Sequence, residues 1–260
     1  MPISEEMQNR WQLKNCREIK SNVFEAESEA FGPVIVKLGS QTAREYGALC
    51  RMGSCRVFAF DEATGALVEE RIWPGITLRE ESCLEKRIEV LRQLFYAIHT
   101  PETEGETYLD WVEHACSLPD LPEILAKKRK MTRNICAELF EKYPERMLLH
   151  GDLHHDNILL RSDRSYAAID PKGVVGPEIL DLPRFILNEG LDAGHIRHVI
   201  GVVAEGFGYP VEDVAKAYYM ETVLANLWCA EDGEPFREET LQLAENILEE
   251  VYENSESRIC

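Results

Sequence analysis

Three side chains that carry oxygen ligands constrain this chain more than any other feature of its sequence. Asp152 and Asn157 lie five residues apart in the run His150-Gly-Asp-Leu-His-His-Asp-Asn157, and Asp170 follows the short apolar segment Tyr166-Ala-Ala-Ile169. Hard oxygen donors suit Mg²⁺, which proteins hold through one or two carboxylates while it keeps some of its waters. In phosphoryl transfer, one Asp deprotonates the attacking hydroxyl, and an Asn and a second Asp hold the metal that bridges the nucleotide phosphates. The spacing therefore predicts Asp152 as a catalytic base, with Asn157 and Asp170 as magnesium ligands.

Length and charge narrow the partners of such a site. The chain has 260 residues, which is enough for one large domain or two modest lobes with a sizeable core. Its 47 acidic and 28 basic residues give a formal net charge of −19. Such a field repels nucleic acid and anionic membrane surfaces and attracts cations. We therefore expect no nucleic-acid or membrane partner; the acidity serves either solubility or a cationic small-molecule substrate. The sequence does not indicate an oligomeric state.

Cysteine usage and the N-terminus bear on the cellular compartment. The eight cysteines, including Cys260, are scattered and form no C-x-x-C pair, and several, such as Cys136 and Cys229, sit in apolar helical surroundings. Such surroundings are typical of buried reduced thiols. The N-terminus, Met1-Pro-Ile-Ser-Glu-Glu6, lacks a basic and apolar leader. No apolar run reaches the roughly 18–20 residues needed to span a bilayer. We expect a cytoplasmic protein.

The order of predicted elements indicates an α+β protein. Strand and turn signals predict strands at 23–27, 34–38, 56–60 and 66–70, with one helix at 41–51. Helical periodicity then predicts helices at 78–99, 121–142, 179–189, 192–207, 211–229 and 237–254. A small sheet lobe followed by a larger helical lobe fits this order. Because Pro74-Gly75 breaks the pattern, we expect an N-terminal nucleotide-binding lobe at 1–72 and a catalytic and substrate-binding lobe at 73–260.

One basic run interrupts the acidic background. Lys127-Lys-Arg-Lys130 lies in the middle of the predicted helix at 121–142. It lacks interleaved aromatic residues, and the chain around it is strongly acidic. These features favour a solvated helix face over a nucleic-acid site.

A lysine and a turn in the first lobe are candidates for holding the nucleotide. Lys37 lies in the strand-like run Val34-Ile-Val-Lys37, and Glu45 follows eight residues later on the next helix. In a kinase arrangement such a lysine holds the α- and β-phosphates while a helix carboxylate fixes its position. We expect Ser21 and Asn22 in the phosphate-covering loop. That loop contains no glycine, so it matches neither G-x-G-x-x-G nor the P-loop pattern, and both ATP and GTP stay open.

Three histidines beside the predicted base suggest a second interpretation. His150 and His154 are four residues apart and His155 follows, so they offer nitrogen ligands for a transition metal. Neighbours on a tight loop rarely provide the tetrahedral geometry of a zinc site. A structural hydrogen-bonding role for His150 is the favoured alternative.

The motif block resembles a known family. The run from His150 to Leu160, followed by Ala-Ile-Asp170-Pro-Lys-Gly173, is similar to aminoglycoside phosphotransferases, and within them to the branch of streptomycin 6-kinases and hydroxyurea phosphotransferases. The form Asp-Pro-Lys-Gly, in place of the protein-kinase Asp-Phe-Gly, is the most specific point. The similarity spans roughly residues 10–255, and the block at 148–182 is the strongly specific part.

This resemblance implies an ATP- and Mg²⁺-dependent small-molecule kinase with a bilobal, protein-kinase-like fold. Lys37 would be the phosphate anchor, and Asp181 would buttress the catalytic loop without touching substrate. The inter-lobe hinge that meets the adenine through its backbone would be formed by Glu69, Glu70, Arg71 and Ile72.

The end of the helix at 211–229 is a candidate acceptor site. A helix C-terminus carries partial negative charge, and Glu231 and Asp232 add two carboxylates there. Such a place suits an ammonium or guanidinium group, and the Trp228 ring could face the cation. The alternative is that Trp228 belongs to the core and the acidic pair faces water.

Three functions follow from these residues. The favoured one is O-phosphorylation of a cationic aminoglycoside such as streptomycin, or of hydroxyurea, in antibiotic resistance. The second is a metabolic kinase of the same fold that acts on an amino sugar or amino alcohol. The third is a nucleotide-binding protein without turnover, which the intact set of Lys37, Asp152, Asn157 and Asp170 argues against. The fold does not name the acceptor.

Overall fold

The computed structural model describes residues 3–256. Residues 1 and 2 of the N-terminus and Cys260 lie outside this range. The seven cysteines inside it are free thiols. No helix within the described range is both long and apolar enough to cross a membrane.

An antiparallel sheet forms the first part of the molecule. Its elements are α1 (Glu5–Arg10), β1 (Leu13–Lys20), β2 (Val23–Ser28), β3 (Gly32–Leu38), α2 (Thr42–Met52), β4 (Val57–Asp61) and β5 (Ala66–Glu70). The strands lie in the order β1-β2-β3-β5-β4. The strands and the helix predicted between residues 23 and 70 are thereby confirmed, to within one or two residues at their ends.

The side chains of β3 alternate between the two faces of the sheet, one in the core and one towards the helical part. Val34 and Val36 are fully buried in a core shared with Trp11 and Phe24. Because successive side chains of a strand point to opposite faces, Ile35 and Lys37 lie on the other face. That face lines the cavity between the two parts. One β-branched strand therefore builds the core and also delivers a charged side chain to the cavity.

The second part is mostly helical. Its elements are β6 (Pro74–Thr77), α3 (Leu84–Ile98), β7 (Thr100–Pro101), α4 (Tyr108–Ser117), α5 (Glu123–Lys142), β8 (Met147–Leu149), β9 (Ile158–Arg161), β10 (Tyr166–Ala168), β11 (Val174–Gly176), α6 (Leu182–Leu187), α7 (Ala193–Phe207), α8 (Val211–Glu231) and α9 (Glu238–Glu256). Helix α8 is buried along most of its length, as expected of a helix that other helices surround. A small sheet lobe with a larger helical lobe confirms the predicted α+β class.

Two small sheets inside the helical part carry the motif block. Their strand orders are β10-β9-β6 and β11-β8-β7. The loop between β8 and β9 contains Asp152 and Asn157, and the loop between β10 and β11 contains Asp170. The strand β6 pairs with β9, while β5 belongs to the first sheet. The boundary expected between residues 72 and 73 falls between these two strands, and the division itself stays a prediction.

Two local expectations were wrong. The helix expected over 78–99 begins only at Leu84, after a 3₁₀ turn at Leu78–Glu80. The Glu81 side chain accepts a hydrogen bond from the backbone N–H of Cys83 at 2.9 Å, a local bond that competes with helix formation. The basic run is also not a uniformly solvated face, because Lys128 is buried and pairs with Glu245 at 2.7 Å.

Contacts with other segments brace the loop 150–157. Arg79 donates two hydrogen bonds to Asp156, at 2.7 and 2.6 Å. His155 stacks on Phe185 with ring centroids 4.0 Å apart, and its Nε2 lies 2.8 Å from Glu189. These contacts tie the loop to the 3₁₀ turn at 78–80 and to α6.

Glu189 is the centre of this brace. Its buried carboxylate accepts hydrogen bonds from Arg87 at 3.0 and 2.6 Å, and it lies 3.0 Å from Nε2 of His195. Burial alone would raise the pKa of this carboxyl, but the hydrogen bonds from His155, Arg87 and His195 lower it to about 2. The carboxylate therefore stabilises the fold in its ionised form.

We expect Glu189→Gln to lower the free energy of unfolding at pH 7 by about 3 kcal/mol, the usual cost of removing one partner of a buried ion pair. The ordinary pKa is 4.5 and the folded value is about 2. The contribution is therefore complete above about pH 5 and is lost as the pH falls towards 2. Urea denaturation at pH 7 and at about pH 3 should show the deficit shrinking in acid.

The exposed Glu62→Gln serves as the matched control and should show no deficit at either pH. An equal deficit for Glu189→Gln at the two pH values would contradict an ionised role for this carboxylate.

Candidate active site

One cavity of about 1200 Å³ lies between the sheet and the helical part. From the first part, its wall includes the β1–β2 turn, β3, the start of α2 and the end of β5. From the second part, it includes Asp152, residues 169–172, Arg184 and the end of α8. Most of the predicted nucleotide residues and the predicted base therefore face the same space, and Glu70 is the exception.

Lys37 is held by three carboxylates at once. Its Nζ lies 2.5 Å from Glu45 and 2.9 Å from Glu69, and it also forms an ion pair with Asp170. Burial alone would lower the pKa of Lys37, but the charges of Glu69, Asp170 and Glu45 raise it well above its ordinary value. The ammonium group therefore stays protonated, as a phosphate anchor must.

The three carboxyl groups that contact Lys37 have pKa values shifted in different directions. Glu69 is 2% exposed, and burial, opposed by the charge of Lys37, raises its pKa to about 7. Burial likewise raises the pKa of Glu45. Burial alone would raise the pKa of Asp170 too, but the charge of Lys37 holds it below its ordinary value. Asp170 is therefore the carboxylate of this group that is most firmly ionised.

Asn157 and Asp152 are joined through the loop. The Asn157 amide nitrogen donates to the backbone oxygen of Asp152 at 2.9 Å and lies 3.4 Å from its side chain. This use of the nitrogen leaves the amide oxygen of Asn157 as an acceptor. Asp170 has a left-handed backbone with φ of 61°, a conformation that Asp tolerates better than most residues.

At two positions of the motif block, the backbone conformation and the surrounding atoms favour glycine. Gly151 has φ of 75°, and a Cβ there would lie 3.0 Å from the Trp111 ring. Gly173 has φ of 65°, and a Cβ there would lie 3.0 Å from Ala48 of α2. Any side chain at Gly173 would push the Asp170 segment away from α2, which carries Glu45. The specific Asp-Pro-Lys-Gly form thus reflects close packing of the two parts.

Asp181 supports the loop from beneath. Its carboxylate accepts the backbone N–H groups of His150 at 2.6 Å and Gly151 at 2.7 Å, and it lies 2.8 Å from Nε2 of His99. Burial alone would raise the pKa of this carboxyl, but the hydrogen bond and charge of His99 help to hold it below its ordinary value. The buttressing role that the resemblance implied is confirmed.

The histidines do not assemble a zinc site. His150 places Nε2 2.9 Å from the backbone oxygen of Ile169, while His155 turns to Glu189. Within the described residues, the group of possible ligands close enough to share an ion consists of Glu45, Glu69 and Asp170. The hydrogen-bonding interpretation of His150 is confirmed.

The expected hinge residues point in different directions. Arg71 and Ile72 line the cavity, as do Ser21 and Asn22 of the β1–β2 turn. The Glu69 side chain turns to Lys37, whereas Glu70 turns away from the cavity and forms an ion pair with Arg161. A contact of their backbone with adenine stays a prediction.

The expected acceptor residues are divided by the structure. Asp232 and Trp228 line the cavity, but Glu231 lies outside its wall and pairs with His114 at 2.9 Å. The guanidinium of Arg184 already lies 5.3 Å from the centroid of the Trp228 ring, and a contact of that ring with a substrate cation stays a prediction. The sequence did not single out Arg184. The signal was a single charge inside the apolar run Leu182–Leu187.

Comparison with known proteins finds similar kinases. The chain is 28% identical over 204 residues to a streptomycin 3''-kinase of Klebsiella pneumoniae, covering 70% of this chain and 72% of the relative. It is 29% identical over 210 residues to a hydroxyurea phosphotransferase of Kitasatospora aureofaciens, covering 75% of this chain and 60% of that protein.

The fold is also found among solved structures. The choline kinase LicA of Streptococcus pneumoniae superposes with a TM-score of 0.66 at 17% identity, covering 94% of this chain and 95% of LicA. This likeness confirms the kinase-like fold and nothing finer. A family model described as aminoglycoside/hydroxyurea antibiotic resistance kinase matches residues 21–233. The chain therefore belongs to the family of aminoglycoside/hydroxyurea antibiotic resistance kinases.

Proposed function

We propose that this chain transfers the γ-phosphoryl group of ATP, held with Mg²⁺, to a hydroxyl of a small molecule of the kind named for its relatives, streptomycin or hydroxyurea. One observation carries the proposal. Lys37, Asp152 and Asp170 come from separate elements, and all three line a single cavity. Its volume of about 1200 Å³ accommodates a nucleotide together with a small acceptor.

The nucleotide occupies the end of the cavity nearest the sheet. Apolar side chains there suit the flat base, namely Ile35, Ile72, Leu159 and Ile169. Lys37 meets the phosphates, with its position fixed by Glu45 and Glu69. The β1–β2 turn, which lines the cavity with Ser21 and Asn22, covers the phosphates in place of a glycine-rich loop.

The donor set fits magnesium. Asn157 is buried and is not among the residues of the cavity wall, but its amide nitrogen is bonded to Asp152, so its oxygen is the atom that would meet an ion; Asp170 is ionised. These hard oxygen donors are the ones that Mg²⁺ prefers when phosphate completes its shell. We propose Asn157 and Asp170 as its ligands. The bound ion would neutralise charge on the phosphates.

Asp152 accepts the proton of the attacking hydroxyl. Its carboxylate lines the cavity and lies 3.6 Å from Nε2 of His154, 3.8 Å from Lys172 and 3.5 Å from Arg184. Lys172 and Arg184 place two permanent cations beside this carboxylate. The side-chain amide of Asn157 donates a hydrogen bond to the backbone oxygen of Asp152, and Asp181 supports the loop from beneath. Both contacts hold the Asp152 carboxylate in place.

We expect Asp152→Asn to lower kcat by about 10²–10⁴, the usual contribution of one positioned acid–base group. The KM for ATP should change little, because Asp152 does not hold the nucleotide. A coupled ADP-release assay with streptomycin and with hydroxyurea measures both constants. Asp163→Asn, in the exposed β9–β10 turn, is the matched control. Near-normal turnover of Asp152→Asn would remove this residue from the mechanism.

Asp170→Asn should abolish turnover at ordinary magnesium concentrations and weaken the binding of Mg·ATP. The change removes charge where the phosphates need neutralising, and it also removes one of the three partners of Lys37. Calorimetric titration with ATP, with and without Mg²⁺, should show that the magnesium-dependent gain in affinity is lost. Wild-type activity that persists in EDTA would contradict the metal role.

A further inference from the structure

Arg184 occupies the acceptor end of the cavity beside the base. Its Nε lies 3.5 Å from Oδ1 of Asp152, and its Nη2 lies 2.5 Å from Oε1 of Glu221. The guanidinium also lies over the Trp228 ring. Its side chain is 17% exposed, and the residue lines the cavity.

A buried network fixes this guanidinium. Glu221 on α8 is almost completely buried and accepts the hydroxyl hydrogen bond of Tyr108 from α4. Burial alone would lower the pKa of Arg184, but the charges of Glu221 and Asp152 raise it above its ordinary value. Helices α4, α6 and α8 thus hold a permanent cation within reach of whatever binds to Asp152.

One donor of Arg184 is unused. Its Nε is enclosed and faces Asp152, and Nη2 faces Glu221. Nη1 has no hydrogen-bond partner among the residues that the structure describes, and it is not enclosed as Nε is. A guanidinium is planar, and its five N–H groups are arranged as a rigid fork. The N–H groups of Nη1 are therefore left without a partner on a residue of the cavity wall that lies next to the base.

We propose that Arg184 is a specificity-determining residue that donates this hydrogen bond to an oxygen of the acceptor adjacent to the reacting hydroxyl. The preferred acceptors then carry a carbonyl or hydroxyl oxygen beside that hydroxyl, as hydroxamates, hydroxyurea and vicinal diols do. An ammonium or guanidinium group at the same place meets a like charge in a partly desolvated site and is disfavoured. This inference rests on the proposed function.

A carboxylate of the same cavity wall has the opposite sign. Asp232 lines the cavity at the end of α8, where its backbone N–H donates to the Trp228 backbone oxygen at 2.9 Å, and it has no ion-pair partner among the described residues. A cationic group of an acceptor is therefore better placed towards Asp232 than beside Arg184. The Trp228 ring, which sequence reasoning offered to a substrate cation, already faces the cation of the protein itself.

The test compares two kinds of acceptor in one set of variants. Wild type, Arg184→Lys and Arg184→Met are assayed with Mg·ATP against acetohydroxamate and hydroxyurea, and against ethanolamine and choline, which carry an ammonium group near the hydroxyl and no flanking oxygen. Streptomycin, which has both vicinal hydroxyls and guanidinium groups, is assayed for turnover only. Arg184→Met leaves the Glu221 carboxylate buried without its cation. If this single variant does not fold, the double variant Arg184→Met with Glu221→Met replaces it, because the double variant removes both charges of the pair. Arg197→Met, from an exposed pair with Glu250, is the matched control.

We expect Arg184→Met, or the double variant, to raise the acceptor KM for the two oxygen-flanked compounds by about 10–100-fold, the range of a charge-assisted hydrogen bond. The KM for ATP should not change, and kcat/KM for the cationic compounds should stay equal or rise. Arg184→Lys keeps the charge but loses the fork, so its effect on the oxygen-flanked compounds should be intermediate.

Two results would overturn the inference. The first is an equal loss of kcat/KM for both kinds of acceptor, which a purely structural role would produce. The second is an unchanged KM for the oxygen-flanked compounds. Wild-type protein that turns over none of these acceptors would instead overturn the proposed function, and this inference with it. Turnover in which the Arg184 variants affect both kinds of acceptor alike would overturn this inference and leave the proposed function standing.

Discussion

The ion pairs of Lys37 join the two parts of the molecule across the cavity. Glu45 and Glu69 belong to the sheet part and Asp170 to the helical part, and their oxygen atoms lie within 4.8 Å of one another. Three carboxylates at that separation repel unless a cation or a proton compensates them. Lys37 supplies one positive charge, and the raised pKa of Glu69, about 7, lets that carboxyl share the compensation. The closeness of the sheet to the motif block depends on this arrangement.

Much of the site followed from local sequence. The spacing of Asp152 and Asn157 fixes them on one loop, and the antiparallel pairing of β9 with β10 returns the chain to Asn157 at Ile169, next to Asp170. Lys37 and Glu45 are eight residues apart on adjacent elements, so their contact depends mainly on the turn between β3 and α2. Contacts of this kind can be predicted from the sequence because few residues separate the partners.

The rest depended on packing between distant segments. Lys37 and Glu69 meet because β3 pairs with β5, and that register cannot be read from the spacing of the two residues. Arg184 and Glu221 lie on different helices, and each shows in the sequence only as one charge within a mainly apolar segment. The contact of Trp228 with Arg184 was not predicted for the same reason, since Arg184 comes from α6.

Buried charges of this kind do not serve stability alone. Replacing a buried ion pair by apolar residues of similar volume is often neutral or stabilising, so Arg184 and Glu221 call for another explanation. Ionisable groups in desolvated surroundings concentrate at functional sites, where fixed charges must stand ready before substrate binds. In the proposed function, Arg184 lies on the acceptor side of Asp152, and Lys37 lies on the nucleotide side. The proposed base would then work between two cations held by separate carboxylate partners, one directed at the phosphates and the other at the acceptor.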